Sequence, residues 1–345
     1  GRRQVAVRQG WKPQTDLVIA ARGADGSRPP DRVYMDESPR HFKSGFAAIV
    51  GRPNVGKSTL MNAILGVDVS IATSKPQTTR NRILGIHTLA DAGQIVFVDT
   101  PGVHDGRSRL HHRMSAAALS TAHETDVVLW VVEAPALGRG DRPVLWGDDA
   151  RLLAALPPTI PTILVVNKID KLHRRDELLP LLAALGELGR FSEIVPISAL
   201  KKANLDPLVR ATLAHLPAGP AHFPEDMVTD RAERFIAGEL VRQQLLEQTA
   251  KEVPYGVAVE IEDFIDGADG IIHIHAVIHV ERDSHKGIVI GKGGARLKEI
   301  GVAARRSLEA FFERRVELRT FVRVAQGWVD TDDGLERFGY DEESL

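Results

Sequence analysis

The sequence lacks cysteine altogether, and this absence limits the chemistry that its 345 residues can carry. Without a thiol the chain forms no disulfide, no thiolate metal site and no cysteine nucleophile, a composition that suits a reducing cytoplasm. Long apolar runs are also lacking, because the longest ones, such as residues 127–132, have only the length of a strand. A helix needs about 20 apolar residues to cross a bilayer, so we expect no integral membrane segment.

The chain also carries little net charge, with a formal value of −2 at pH 7. That value argues against a uniformly basic nucleic-acid-binding protein, although an average can hide a local patch. The hydrophobic fraction of 43% is sufficient for sizeable cores, and no internal repeat is evident. The length suits about two domains.

Residues 1–44 show little periodicity, and the run SRPPD at 27–31 cannot continue a helix or a central strand. Residues 1–15 hold four basic and no acidic side chains, which is compatible with a basic arm or a targeting segment. We favour the alternative, a disordered or extraneous extension with Met35 as the candidate native start.

Residues 45–216 alternate helical patterns with apolar runs of strand length. These runs lie at Phe46–Val50, Ile95–Val98, Val127–Val132, Ile163–Val166 and Ile194–Ile197. Strands that are apolar throughout and separated by helices form a mostly parallel sheet covered on both faces. We therefore expect an α/β doubly wound domain, followed by a proline-containing linker at residues 217–229.

The first strand leads into GRPNVGKST at residues 51–59, which matches the phosphate-loop (P-loop) pattern G-x-x-x-x-G-K-[ST] in full. Glycines let consecutive backbone N–H groups face phosphates, and the following helix presents its positive end to them. Lys57 would contact the terminal phosphates, and the Ser58 hydroxyl would bind Mg²⁺. The nucleotide-binding residues predicted here are Asn54, Val55, Gly56, Lys57, Ser58 and Thr59.

Two further motifs follow later strands. In DTPG at 99–102, Asp99 would hold the metal through water and the Gly102 N–H would respond to a γ-phosphate. In NKID at 167–170, the Asp170 carboxylate can accept two adjacent donors that guanine has and adenine lacks, which predicts GTP. The predicted base pocket consists of Asn167, Lys168, Asp170, Ser198 and Ala199, and the last two would place a backbone N–H near the guanine oxygen.

The polar stretch TSKPQTTR at 73–80 suits a loop that Mg²⁺ and a γ-phosphate would order. A threonine of this loop must reach the metal, and we favour Thr79 over Thr78. Small GTPases carry a water-orienting glutamine where this chain has Val103. We therefore expect intrinsic hydrolysis to be slow, or to depend on another element supplied by a loop, a bound cation or a partner. The predicted catalytic residues are Lys57, Thr79 and Gly102, and the predicted metal ligands are Ser58, Thr79 and Asp99.

Residues 230–329 predict the order α-β-β-α-α-β. His273, His275 and His279 alternate along the second strand but are too far apart to share one ion, so they predict an exposed sheet face. A second glycine-lysine cluster, GIVIGKGG at 287–294, has only three residues between its first glycines and no hydroxyl after its lysine. It is therefore not a second P-loop.

The turn Gly291–Gly294, between two predicted helices, matches the G-x-x-G clamp by which KH domains hold an RNA backbone. Residues 285–323 contain ten Lys or Arg against four Glu, a net charge of +6 that suits RNA. The acidic tail at 330–345, with seven acids and one Arg, masks this patch in the total charge. The predicted RNA-binding residues are Lys286, Gly291, Lys292, Gly293, Gly294, Arg296 and Lys298.

The combination of GRPNVGKSTL, QTTR, DTPGVH, NKID, ISAL, EVPYG and VIGKGGARLKEIG resembles the bacterial Era family of GTPases from about residue 45 to residue 340. The resemblance implies a P-loop GTPase domain and a smaller α+β KH domain of the second topological type. It implies binding to the 3′ end of small-subunit ribosomal RNA, with GTP favouring binding, hydrolysis favouring release, and a role in maturation of the small ribosomal subunit.

The same resemblance implies an apolar residue at the position of Val103, K⁺ as a candidate second cation beside Asn54, and peripheral association with the inner membrane. We therefore predict a monomeric, cytoplasmic GTP-hydrolysing switch that times RNA binding. Two alternatives stay open: an RNA chaperone with GTP as a structural ligand, and a phosphoryl-transfer enzyme that acts on a small acceptor.

Overall fold

A computed structural model describes residues 42–340, except 74, 76–77, 103–108, 137–144, 146, 173–177 and 250–255. Nearly all of the predicted N-terminal extension, and Val103, therefore lie outside the described residues. Among the helices that are described, none is both long and apolar enough to span a bilayer.

The first domain is a six-stranded sheet with helices on both faces. Its strands are β1 (Lys43–Val50), β2 (Ile83–Leu89), β3 (Gly93–Asp99), β4 (Val127–Glu133), β5 (Thr162–Asn167) and β6 (Glu193–Pro196). Its helices are α1 (Lys57–Leu65), α2 (Arg109–His123), α3 (Asp148–Ala155), α4 (Leu178–Gly186) and α5 (Leu205–His215). The strand order is β2-β3-β1-β4-β5-β6, and every pair is parallel except β2 with β3.

The α/β doubly wound prediction is thus confirmed. Successive residues of β1 alternate between two cores: Ala47 and Ile49 contact the side of α1 and α5, while Ala48 and Val50 contact the opposite side. Burial on both faces explains why these strands are apolar throughout. The antiparallel edge strand β2 was not predicted, because four of its seven residues are only partly buried and it lacks that continuous apolar run. The linker covers this edge, where the Ile86 amide donates to the Val228 carbonyl at 2.9 Å.

The second domain has the predicted order, with α6 (Glu233–Gln248), β7 (Val257–Asp266), β8 (Ile272–Val280), α7 (Asp283–Ile290), α8 (Ala295–Phe312) and β9 (Val316–Val324). Strands β7 and β8 are antiparallel, and β8 and β9 are parallel. Helices α6 and α8 bury the inner face of this sheet through a core that includes Leu240, Ile274 and Leu308. This is the smaller α+β domain that the sequence predicted.

The prediction of an exposed outer face on β8 is wrong at His279, which is only 1% exposed. Its ring lies 4.7 Å from that of Phe338, and its Nε2 is 3.0 Å from the Glu260 carboxylate. Burial lowers the pKa of His279, against the opposing effect of Glu260. Alternation along a strand distinguishes its two faces but does not say which of them another segment covers. Within the described residues, no group of three or more His, Cys, Asp or Glu side chains is placed to hold a metal ion.

The covering segment includes a last helix, α9 (Asp332–Arg337), in the region that the sequence marked only as an acidic tail. Trp328, Leu335 and Tyr340 are buried there, together with Leu110 and Met114 of α2 from the first domain. The two domains therefore share an apolar cluster between α2 and the C-terminal segment.

Candidate functional site

The P-loop lies between β1 and α1, and its backbone requires specific conformations. Gly56 has φ 102°, and a Cβ atom there would lie 2.4 Å from Asn167 Nδ2, so only glycine fits. Asn54 also has a positive φ of 64°, which asparagine tolerates. Helix α1 begins at the next residue, Lys57, so that its unpaired N-terminal amides face the loop.

The Lys57 ammonium is buried inside the loop, where it donates to the Gly51 and Arg52 carbonyls at 3.2 Å each. Burial lowers the pKa of Lys57 to about 8, against the opposing charge of Asp99. With a pKa of about 8, the side chain stays mostly a cation at neutral pH, in the place where phosphates would bind.

Hydroxyl groups from three separate segments converge on the buried Asp99 carboxylate at the end of β3. Asp99 Oδ2 accepts hydrogen bonds from Ser58 at 2.6 Å, Ser70 at 2.8 Å and Thr79 at 3.5 Å. Its other oxygen, Oδ1, is buried without a hydrogen-bond partner in the described part of the chain. Burial raises the pKa of Asp99, while Lys57 and the three hydroxyls lower it.

This set of oxygen atoms fits Mg²⁺, which prefers carboxylate and hydroxyl oxygens and would supply a partner for the buried Asp99 Oδ1. Thr79 Oγ1 also lies 2.7 Å from Ser58 Oγ, whereas Thr78 Oγ1 donates to the Lys75 carbonyl at 2.8 Å. The geometry thus brings Thr79, rather than Thr78, to the carboxylate. Its role as a metal ligand stays a prediction.

The NKID motif is connected to the P-loop by direct hydrogen bonds. Asn167 Nδ2 donates to the Val55 carbonyl at 2.8 Å, and Asn167 Oδ1 accepts from the Ala199 amide at 3.0 Å. Of the two amides that the sequence offered to the guanine oxygen, that of Ala199 is bonded to Asn167 in this structure. The Ser198 hydroxyl donates to Asp170 Oδ1 at 2.5 Å, so Ser198 orients the carboxylate that would read the base.

The Lys168 ammonium contacts the Asn54 carbonyl at 2.5 Å and the Glu133 carboxylate. These contacts connect the end of β4, the P-loop and the NKID motif. Glu133 and Ser70 contact predicted site residues, but the sequence did not identify either of them. Neither belongs to a motif with a defined spacing, and each meets its partner only in the fold.

The predicted nucleotide residues surround one cavity of about 500 Å³. It is lined by Pro53, Asn54, Gly56, Lys57, Ser58, Thr59, Ile71, Ala72, Thr73, Thr78, Thr79, Gly102, Asn167, Lys168, Asp170, Lys171, Ala199 and Leu200. Val55, Asp99 and Ser198 lie behind this lining and act through the contacts described above. Gly102 packs against the P-loop, and a Cβ atom at this position would lie 2.7 Å from the Pro53 nitrogen.

The G-x-x-G turn connects α7 to α8 in the second domain. Gly291, Gly293 and Gly294 have φ values of 71°, 61° and 79°, a region that favours glycine. Around Gly293 and Gly294 a Cβ atom would meet nothing within 4 Å, so this backbone is open to a ligand.

Four basic residues accompany the turn: Lys286 on α7, Lys292 within it, and Arg296 and Lys298 at the start of α8. Lys292 and Lys298 are exposed, and Lys286 is half-buried. Arg296 is also half-buried and donates to the Ile288 carbonyl at 3.3 Å, so part of its donor capacity serves the end of α7.

The segment that carries Thr79 is also in contact with the second domain. Arg242 of α6 donates to the Thr78 carbonyl, and Arg80 Nη1 donates to the Val257 carbonyl at 2.6 Å. The buried Arg80 guanidinium lies 5.7 Å from the ring centre of Tyr340 and 6.0 Å from that of Trp328. Cations over aromatic rings at this distance are attracted to the ring face.

Comparisons with known proteins agree with both halves of the chain. A family model described as 50S ribosome-binding GTPase matches residues 46–168, and a KH domain model matches residues 252–329. A curated relative, GTPase Era from Geotalea uraniireducens, is 48% identical over 302 residues, which cover 88% of this chain and 99% of the relative.

Two solved structures share the whole arrangement. A variant of Aquifex aeolicus Era bound to GDP·AlF4⁻ is 41% identical with a TM-score of 0.82 and covers 87% of this chain and 99% of its own. Era in complex with MgGDPNP and nucleotides 1506–1542 of 16S ribosomal RNA is 42% identical with a TM-score of 0.81, at the same coverage. The resemblance inferred from the motifs is therefore confirmed: the chain belongs to the Era family of GTPases and hydrolyses GTP.

Proposed function

We propose that this GTPase is a switch in which Mg²⁺ and GTP in the first domain control the binding of ribosomal RNA by the KH domain. The RNA we propose is the 3′ end of the small-subunit ribosomal RNA, and the process is assembly of that subunit. The observation that carries this proposal is the position of residues 78–80. The Thr79 hydroxyl lies at the Asp99 carboxylate, while the residues on either side of it contact the KH domain.

At the nucleotide end, the cavity supplies a role for each predicted group. Lys57 and the amides at the start of α1 face the phosphates, Ser58, Thr79 and Asp99 offer oxygens to Mg²⁺, and Asp170 reads guanine. When bound, Mg²⁺ would neutralise charge on the phosphate oxygens.

At the RNA end, the glycine turn lets a sugar-phosphate backbone approach the main chain, and the exposed Lys292 and Lys298 supply positive charge. The similar structure with nucleotides 1506–1542 of 16S ribosomal RNA supports the choice of RNA. The family model described as 50S ribosome-binding GTPase matches residues 46–168 only, so it does not cover the KH domain that would bind the RNA. We therefore assign the RNA from the KH domain.

Coupling requires that GTP and GDP stabilise different arrangements of the two domains. A metal and a γ-phosphate would hold Thr79, and the chain would transmit this restraint to its neighbours. The Thr78 carbonyl and Arg80 would then present altered contacts to α6, to β7 and to the C-terminal aromatic rings. Order in such a loop that depends on the γ-phosphate is an established form of switching.

A binding experiment tests the coupling. The probe is a fluorescent RNA with the sequence of nucleotides 1506–1542 of 16S ribosomal RNA, titrated with protein in MgGDPNP or MgGDP and followed by anisotropy. We expect tighter binding with MgGDPNP, by the roughly 5- to 150-fold that is typical of coupled sites, and loss of this difference in Thr79→Ala. Equal affinities in the two nucleotide states would favour the alternative, a chaperone in which GTP is structural.

A pair of glycine variants tests the RNA site. Gly293→Asp places a negative charge where phosphates would bind, and we expect about a tenfold or greater loss of RNA affinity. Gly270→Asp is the matched control, because Gly270 also has a positive φ of 79° with open space around it, but lies outside the turn between α7 and α8. Comparable losses in both variants would contradict the proposed clamp.

Cytoplasmic location, peripheral membrane association, a monomeric state and K⁺ beside Asn54 are parts of the proposal that come from the family resemblance. The dependence of GTP turnover on K⁺ compared with Na⁺ tests the last of these.

A further inference from the structure

Ser70 lies outside every motif, yet it is in direct contact with the Asp99 carboxylate. It is 1% exposed, and its hydroxyl donates to Asp99 Oδ2 at 2.8 Å. Two other hydroxyls reach the same oxygen, from Ser58 and Thr79, and both belong to candidate Mg²⁺ ligands. Of the three donors to Asp99, Ser70 is therefore the one that is not a candidate Mg²⁺ ligand.

The position of Ser70 is held by Asn62, one helical turn after Ser58 on α1. Asn62 Nδ2 donates to the Ser70 carbonyl at 2.6 Å, and Asn62 Oδ1 accepts from the Ser70 amide at 3.2 Å. Asn62 Nδ2 also lies 3.1 Å from Asp68 Oδ1. Because one side-chain amide engages both backbone groups of Ser70, this segment keeps a defined distance from the P-loop helix.

This arrangement differs from a buried serine that merely satisfies its own hydroxyl. Ser44, also buried in the first domain, has a hydroxyl without a hydrogen-bond partner in the described residues. The hydroxyl of Ser70, by contrast, donates to an acidic side chain whose second oxygen lacks a partner. A donor that fixes one carboxylate oxygen also fixes the direction of the other.

We propose that Ser70, held by Asn62, is a positioning residue that orients the Asp99 carboxylate for Mg²⁺ and thereby sets the Mg²⁺ affinity of the nucleotide complex. This inference rests on the proposed Mg²⁺-dependent function of the site. Partners that orient metal ligands typically contribute 10- to 100-fold to metal affinity.

The test measures the dissociation rate of fluorescent GDP from the full chain while Mg²⁺ is titrated. In Ser70→Ala we expect the Mg²⁺ concentration for half-maximal retention to rise by about tenfold or more. Affinity for GDP in EDTA should stay within about twofold of the unmodified protein, because the hydroxyl acts through the metal ligand. Ser70→Thr, which restores a hydroxyl, should recover part of the Mg²⁺ affinity.

Ser44→Ala is the matched control and should leave the Mg²⁺ titration unchanged. Should Ser70→Ala fail to fold, Ser70→Cys decides, since it keeps the volume and offers only a weak donor. An unchanged Mg²⁺ titration in the Ser70 variants overturns the inference, as does an equal loss of GDP affinity in EDTA. Mg²⁺-independent release from the unmodified protein would overturn the proposed metal site together with this inference.

Discussion

Replacing Arg242 with methionine tests how the two domains depend on each other. Arg242 has a side chain only 1% exposed and makes two hydrogen bonds with Glu239, at 2.7 and 2.6 Å. It also donates to the Thr78 carbonyl of the first domain. Methionine keeps much of the apolar volume but removes every donor, and it leaves Glu239 as a largely buried carboxylate without its cation.

Breaking a buried ion pair from one side costs about 3–5 kcal/mol, because the remaining charge is uncompensated. The side chain of Glu239 is 14% exposed, so solvent can replace the lost cation only in part. We expect Arg242→Met to lower the free energy of unfolding by about this amount. Adding Glu239→Gln should recover about 2 kcal/mol, because the uncompensated charge is removed.

The assay has two parts. Urea unfolding followed by circular dichroism gives the stability, with Arg210→Met as the control, since Arg210 is exposed on α5 and should change stability by no more than about 0.5 kcal/mol. RNA titrations with MgGDPNP and MgGDP give the coupling, which should be reduced in both the single and the double variant. If the double variant keeps the full nucleotide dependence of RNA binding, the contact between Arg242 and Thr78 does not transmit the nucleotide state.

Three further predictions concern the nucleotide cavity. Asp170→Asn replaces one of the two carboxylate oxygens that would accept from guanine with an NH2 donor, and it should weaken fluorescent-GDP binding by about 1–3 kcal/mol. A similar loss for adenine nucleotides would count against base recognition by this residue. Gly56→Ala should abolish GDP binding, because the new Cβ atom would lie 2.4 Å from Asn167 Nδ2. Gly66 also has a positive φ but open space around it, so the control Gly66→Ala should cost about 1 kcal/mol of stability and leave GDP binding intact. Lys57 has a pKa of about 8 without nucleotide, so it loses its proton above that pH. Because the phosphates favour the charged form, GDP affinity should fall as the pH rises from about 7 to 9. Lys57→Arg should remove that pH dependence, and calorimetry should detect proton uptake on binding near pH 8.5 in the unmodified protein only.

Much of the candidate site follows from short stretches of sequence. The P-loop, DTPG and NKID motifs each follow a strand, and parallel strands bring their carboxyl ends to one edge of the sheet. The glycine turn at 291–294 is equally local, because its function depends on backbone angles that the glycines permit. The choice of Thr79 over Thr78 was harder, since the two are adjacent in a polar loop and only the folded chain turns one toward Asp99 and the other toward Lys75.

By itself, the sequence determined the two fold classes, the approximate positions of five strands of the first domain, the motifs that line the nucleotide cavity and the glycine turn. These features depend on periodicity, turn chemistry and helix starts, which consecutive residues specify. Tertiary structure alone decided that Ser70 meets Asp99 across 29 residues, that Arg80 meets Val257 across 177, and that the acidic C-terminal region buries His279. Such contacts join segments whose own patterns do not depend on each other, so consecutive residues carry no signal of them. One of them, between Arg80 and Val257, connects the nucleotide domain to the KH domain.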